Sequence, residues 1–165
     1  MVFDDKIMQE INKAYYVLDK KRAEIIHALS HRMWELESGW YNGHFHRKPN
    51  GDWERESYPI PVVTVRGLCD VEIGFEKITV TAKLKRRQAL AYSFNKFTDF
   101  HFEAYGVENY LNDFYTDGQT LSELKDNIEK SQETDIGFSF YFPFDTDEKT
   151  FFEFVKLIRR EGFFY

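Results

Sequence analysis

Residues 71–84 read Val71-Glu72-Ile73-Gly74-Phe75-Glu76-Lys77-Ile78-Thr79-Val80-Thr81-Ala82-Lys83-Leu84. Val71, Ile73 and Phe75 alternate with Glu72, Gly74 and Glu76, and Ile78, Val80, Ala82 and Leu84 alternate with Thr79, Thr81 and Lys83. A period of two sends the apolar side chains of each run to one side of a strand and the polar ones to the other. Turn-forming residues from Gly74 to Lys77 join the runs, so the stretch predicts an antiparallel hairpin with one buried and one wet face.

The same alternation recurs outward from this hairpin. Val63 and Val65 lead to Gly67; Phe100, Phe102 and Ala104 alternate with His101, Glu103 and Tyr105 and end at Gly106; Ile136, Phe138, Phe140 and Phe142 alternate with Gly137, Ser139 and Tyr141 and end at Pro143. Residues 40–47, the turn Pro49-Asn50-Gly51-Asp52 and Trp53 onward read as another hairpin. Tyr58-Pro59-Ile60-Pro61 interrupts the ladder, because neither proline has a backbone donor. Residues 107–115 and 86–94 read as short helices.

Before the strands, Ile7, Ile11, Tyr15, Leu18, Ile25, Leu29, Met33 and Leu36 draw one stripe at helical spacing. They predict a helix over residues 4–38, capped by Asp4 or Asp5 and stopped by Gly39. Such a helix runs roughly 50 Å, longer than a domain of this size is wide. A bend at Lys20-Lys21-Arg22, or an overhang paired with a second copy of the chain, resolves the excess. After the strands, Thr120-Leu121-Ser122-Glu123 is a capping box ahead of Leu124 and Ile128. Asp145 with Glu148 predicts the cap of a last helix with the inner stripe Phe151, Phe154, Val155 and Ile158, stopped by Gly162. Helices and strands are segregated rather than alternating. The expected class is α+β: one domain over residues 1–165, with an antiparallel sheet of about five strands and the long N-terminal and the C-terminal helices packed on one face.

Composition narrows the setting. At 42% hydrophobic and 30% charged residues, the 165-residue chain is globular rather than disordered. No run approaches the ~18 apolar residues of a membrane span, and the first residues, Met-Val-Phe-Asp-Asp-Lys, do not resemble a secretory leader. One cysteine, Cys69, leaves no internal disulfide and no cysteine-rich zinc site, so a reducing, cytoplasmic location is expected. A net charge of −6 argues against nucleic acid and anionic membranes as partners. The basic clusters Lys20-Lys21-Arg22 and Lys83, Lys85-Arg86-Arg87 read as solvated helix or strand ends. Cys69, placed between two strands, reads as a buried, inert thiol.

Phosphate-binding glycine loops and the nucleophile elbow have no match in the sequence. His44 and His46 share a strand face, as do His101 and Glu103; these residues make a zinc or iron site if their strands are neighbours, and a polar strand face otherwise. No cofactor beyond such a transition metal is expected. His27 and His31 share a helix side. Glu72, Thr79, Thr81, Lys83, His101, Glu103, Ser139 and Tyr141 all fall opposite the apolar alternation, forming either a ligand-binding face or a plainly solvated one. On that face, Glu72 with Lys83 and Glu103 with Lys83 read as cross-strand pairs. Aromatic residues reach 18%. Trp40, Tyr41, Trp53 and Tyr58, beside Phe45 and two prolines, read equally as a recognition surface or as a lid over the core. Phe163-Phe164-Tyr165 is expected to dock on the core or on another subunit.

Three functions follow from this reading. The favoured one is a non-catalytic interaction or regulatory domain with a protein partner or self-association as a homodimer. The others are a metal-binding protein or metal-dependent enzyme using the histidines, and a small-molecule-binding domain using the polar sheet face or the cleft beside the first helix.

Overall fold

The alternation in residues 71–84 is realised as two antiparallel strands at the middle of a larger sheet. A computed structural model describes residues 5–41, 45–47, 49–51, 53–55, 60–97, 100–108, 113–115 and 120–165. In chain order the elements are α1 (Asp5–Ser30), β1 (Leu36–Tyr41), β2 (Phe45–Arg47), β3 (Trp53–Arg55), β4 (Ile60–Val65), β5 (Cys69–Ile73), β6 (Lys77–Lys85), α2 (Arg86–Ala91), a 3₁₀ turn (Phe94–Phe97), β7 (His101–Gly106), β8 (Asp113–Tyr115), α3 (Leu121–Lys130), β9 (Asp135–Pro143) and α4 (Glu148–Arg160).

The chain has an α+β fold. Its main sheet has seven strands in the order β1-β4-β5-β6-β9-β7-β8, with β2 and β3 as a separate two-stranded ladder. All pairings are antiparallel. The strand count exceeds the expected five because residues 36–38, expected in the first helix, open β1, and residues 113–115, expected in a short helix, form β8. Register fixes one inner face: Val63, Val71, Val80 and Phe140 lie across successive strands, with Phe102 opposite Phe140. These side chains are buried together with Leu18, Ile25 and Leu29 of α1, Leu124 and Ile128 of α3, and Phe151, Phe154, Val155 and Ile158 of α4. The helices thus cover one side of the sheet, and the phenylalanines fill the space between in edge-on contacts, such as Phe140 to Phe154 at 4.9 Å.

Several expectations are corrected. α1 stops at Ser30, so its 26 residues span roughly 39 Å instead of 50. Met33 takes a left-handed backbone (φ 61°), which turns the chain so that Leu36 starts a strand. Gly39 is then a strand residue, not a helix stop. The helix runs through the triplet at 20–22 without a break, and only Lys20 of the three is solvated: Lys21 is buried, with Nζ donating to the Thr146 carbonyl, and Arg22 Nη2 donates to Ser38 Oγ at 2.9 Å. Trp40 belongs to β1 and pairs with Pro61 rather than with the 45–55 hairpin. Pro61 is tolerated inside β4 because the β4–β5 ladder begins only at Val62. Cys69 opens β5 instead of lying between strands. Residues 113–115, read as helix, pair with β7 as strand β8; residues 109–112 lie outside the described residues.

The helix starts show the local chemistry. Thr120 Oγ1 accepts from the Glu123 N–H at 3.1 Å, as the capping box predicts. At α4 the cap is Asp147 and not Asp145: its Oδ1 accepts from the Thr150 N–H at 2.7 Å. That backbone hydrogen bond holds the Asp147 carboxyl below the ordinary aspartate range. Its contribution is therefore complete above the unfolded aspartate value and fades as pH falls through the lower folded one. Asp147→Ala should lower the thermal midpoint near neutral pH, and the gap from wild type should close in strong acid; a gap independent of pH would contradict the cap.

Candidate functional site

The face of the sheet opposite the helices is the candidate site. Strand register sets its rows. Glu72, Thr79, Tyr141 and His101 lie side by side across β5, β6, β9 and β7, and Asp70, Thr81, Ser139 and Glu103 form the next row. Lys83, opposite Gly137, continues the same face, so all eight residues of the polar alternation lie on one outer face, as the period-two reading predicts, and Asp70 joins them. The cross-strand pairs with Lys83 do not form as read. Glu72 faces Thr79, Glu103 faces Ser139, and Lys83 faces Gly137.

Lys83 instead stacks on the end of the chain. Its backbone exchanges hydrogen bonds with Phe164, at 2.7 and 2.9 Å, beyond the last rung of the β5–β6 ladder. Its Nζ lies 5.5 Å from the Tyr165 ring centre. The three terminal aromatics divide their roles: Phe163 is buried in the core, Phe164 pairs with β6, and Tyr165 reaches the outer face, where its hydroxyl donates to Asp70 Oδ2 at 3.4 Å.

Between the β1 rim and these tyrosines lies a trough of about 740 Å³. Its floor is Val62, Thr64, Asp70, Glu72 and Thr81, with Glu37 and Gly39 at the rim and Tyr105 and Tyr165 at the far wall. Thr64 Oγ1 donates to Asp70 Oδ1 at 2.6 Å, so Asp70 is fixed by two hydroxyl donors. Glu37 is held by Arg66, 2.6 Å away. Two glycines shape the space. At Gly39 a Cβ would meet nothing within 4 Å, which leaves the rim open. At Gly137 a Cβ would fall 2.4 Å from the Tyr105 ring, so that ring lies across the glycine and is available as a wall.

A solved structure shares this fold. It is a conserved hypothetical protein from Pyrococcus furiosus, with a TM-score of 0.67 and 23% identity, covering 94% of this chain and 98% of that one. At that identity the likeness extends to the architecture alone. No protein-family model and no curated protein matches the chain.

The metal set is placed only in part. His101 and Glu103 share the outer face, with His101 5.2 Å from the Tyr141 ring and Glu103 Oε2 accepting from the Tyr141 hydroxyl at 2.9 Å. His46 lies in β2, outside the seven-stranded sheet, and His44 lies outside the described residues. Among the described residues no three histidine, cysteine or carboxylate side chains gather closely enough to hold a metal ion. His27 and His31 are exposed, with ring centres 6.1 Å apart. Burial pushes the Cys69 thiol far up, which leaves it protonated and unreactive.

Of the aromatic segment, Trp40 is 39% exposed and packs toward α1, edge-on to Tyr15 at 6.4 Å and under Arg22 at 5.5 Å. Tyr41 ends β1 and Trp53 opens β3; their side chains and all of Tyr58 lie outside the described residues. Sequence reading missed Glu37, Gly39, Asp70, Tyr105 and Tyr165 as parts of a site. Only Tyr105 carried a signal, its period-two place beside His101 and Glu103.

Tyr141 offers a direct check of the face. Burial and the hydrogen bond to the Glu103 carboxylate push its phenol up to about 12. Losing that proton would set two anions against each other. Glu103→Gln should therefore bring one tyrosine to earlier ionisation in an ultraviolet pH titration, and Tyr141→Phe should remove that transition. A titration curve identical in wild type and Glu103→Gln contradicts the contact.

Proposed function

We propose that the chain is a non-catalytic interaction domain that receives a partner on the outer face of its sheet. The observation that carries this reading is the trough itself. The fold uses its helices to cover the inner face, yet the outer face holds a concave, hydroxyl-lined surface with two aromatic walls and a rim kept open by Gly39. An antiparallel sheet can leave one face free for a partner, and aromatic side chains are enriched in the cores of interfaces. A cytoplasmic setting fits the lone buried thiol. Among the described residues no helix is long and apolar enough to cross a membrane.

Gly39→Phe tests the reading. The added ring enters empty space at an edge strand and improves strand propensity, so the fold should not suffer. Affinity capture with cross-linking from the native cell should recover a partner with wild type and with Lys149→Glu on α4, and lose it with Gly39→Phe. A partner that Gly39→Phe retains and Lys149→Glu loses moves the interface to the helices and overturns the proposal. Self-association is the homotypic form of the same proposal. Sedimentation of a compact monomer at micromolar concentration removes that form.

A further inference from the structure

We infer that the trough takes a lysine- or arginine-bearing peptide segment of the partner protein; this rests on the interaction reading above and names its ligand chemistry. The argument is charge complementarity on an open sheet face. The trough's charged lining residues are the carboxylates Glu37, Asp70 and Glu72. Arg66 offsets Glu37 from outside the lining, at 2.6 Å. Among the described residues Asp70 accepts from two neutral hydroxyls, Thr64 at 2.6 Å and Tyr165 at 3.4 Å. A carboxylate oriented by hydroxyls keeps its full charge and is aimed rather than mobile, which is what a charge-assisted hydrogen bond to an ammonium or guanidinium needs.

One of the aromatic walls, Tyr165, and two rings outside the trough show the same chemistry. A cation prefers the face of an aromatic ring, and this surface already uses that contact. Lys77 Nζ lies 4.4 Å from the Tyr141 ring centre, Lys83 Nζ 5.5 Å from Tyr165 and Lys85 Nζ 5.0 Å from Phe164. These lysines lie on β6, the strand that also gives Thr81 to the floor, while Asp70 and Glu72 lie on the neighbouring β5 and Glu37 on β1. A peptide whose basic side chains enter the acidic strip is matched; an acidic peptide there would meet Asp70 and Glu72.

Openness separates a peptide from a small amine. Small-molecule sites enclose most of their ligand. The trough is a shallow hollow on a sheet face, bounded on one side by a rim strand whose Gly39 leaves it unobstructed. An extended chain can enter and leave along it while its alternate side chains reach the floor.

The test is fluorescence anisotropy with the full chain and a labelled peptide of alternating lysine and serine, an alternating glutamate and serine control, and spermidine as an unlabelled competitor, at about 50 and about 500 mM salt. The basic peptide should bind at low salt, weaken at high salt, and outcompete spermidine. The acidic peptide should not bind. Gly39→Phe should weaken the basic peptide about tenfold, and Asp70→Asn, which keeps an acceptor for Thr64, about fivefold. Glu72→Gln provides a second charge-removing variant if Asp70→Asn lowers the thermal midpoint. The inference is overturned if the basic peptide does not bind, if it binds all variants as it binds wild type (general attraction to a chain of net charge −6), or if spermidine displaces it at equal charge concentration. If any of these occurs while Gly39→Phe still abolishes partner capture, the interaction reading stands and only the ligand chemistry fails.

Discussion

Phe140→Ala should cost the fold about 3–5 kcal/mol, the range for removing a buried phenylalanine. Phe140 is fully buried in β9, the strand that pairs with both β6 and β7. Its ring lies 4.9 Å from Phe97 and Phe154 and 5.7 Å from Phe102, centre to centre. The 3₁₀ turn, α4 and β7 thus all close on this one side chain. The cavity left by alanine cannot be filled by one neighbour moving, because each neighbour is held by another: Phe102 by Phe94 at 6.3 Å, and Phe154 by Phe142 at 4.8 Å. A domain of ordinary stability has about 5–15 kcal/mol to lose, so the denaturation midpoint should fall sharply. Thr81→Ala is the matched control on the outer face, where substitutions usually change stability by about 0.5 kcal/mol or less. Equal losses in the two variants would mean that the inner and outer faces have been assigned wrongly.

That assignment was legible because a strand's side chains alternate whatever the strand pairs with. β5, β6, β7 and β9 each showed the pattern locally, and so did the stripe of α4. The start of β1 was not legible for a local reason: Leu36 continues the helical spacing of Leu18, Ile25 and Leu29. The break before it is made by Met33 in a left-handed conformation, not by glycine or proline. A methionine gives no sign that it will adopt that backbone. At α4, Asp145 with Glu148 and Asp147 with Thr150 have the same spacing, and only the structure distinguishes the cap. The trough was illegible for a different reason. It depends on Tyr105 meeting Gly137 and on Tyr165 meeting Asp70, pairings set by strand order and by the path of the last residues. Tertiary register places these residues together; no local period does.

Lys21 shows the same limit, and its charge reversal is the other large effect expected. Its side chain is buried between α1 and the turn that precedes α4. Nζ donates to the Thr146 carbonyl, lies 3.8 Å from Glu24 Oε2 and sits over the Phe144 ring at 5.8 Å. Its positive charge also helps keep the Asp147 carboxyl ionised. Lys21→Glu would replace a donor with acceptors facing a carbonyl oxygen and two carboxylates. The cost should be about 3–5 kcal/mol, that of an uncompensated buried charge. Lys21→Met retains most of the stem and loses only the donor, leaving the Thr146 carbonyl without it, for about 1–3 kcal/mol. Urea unfolding of both variants separates the two contributions, since the difference between them is the charge. If Lys21→Glu unfolds at the wild-type midpoint, the ammonium lies in water and α1 is not tied to α4 through it. If Lys21→Met alone matches wild type, packing of the stem holds the two helices together and the hydrogen bond adds nothing.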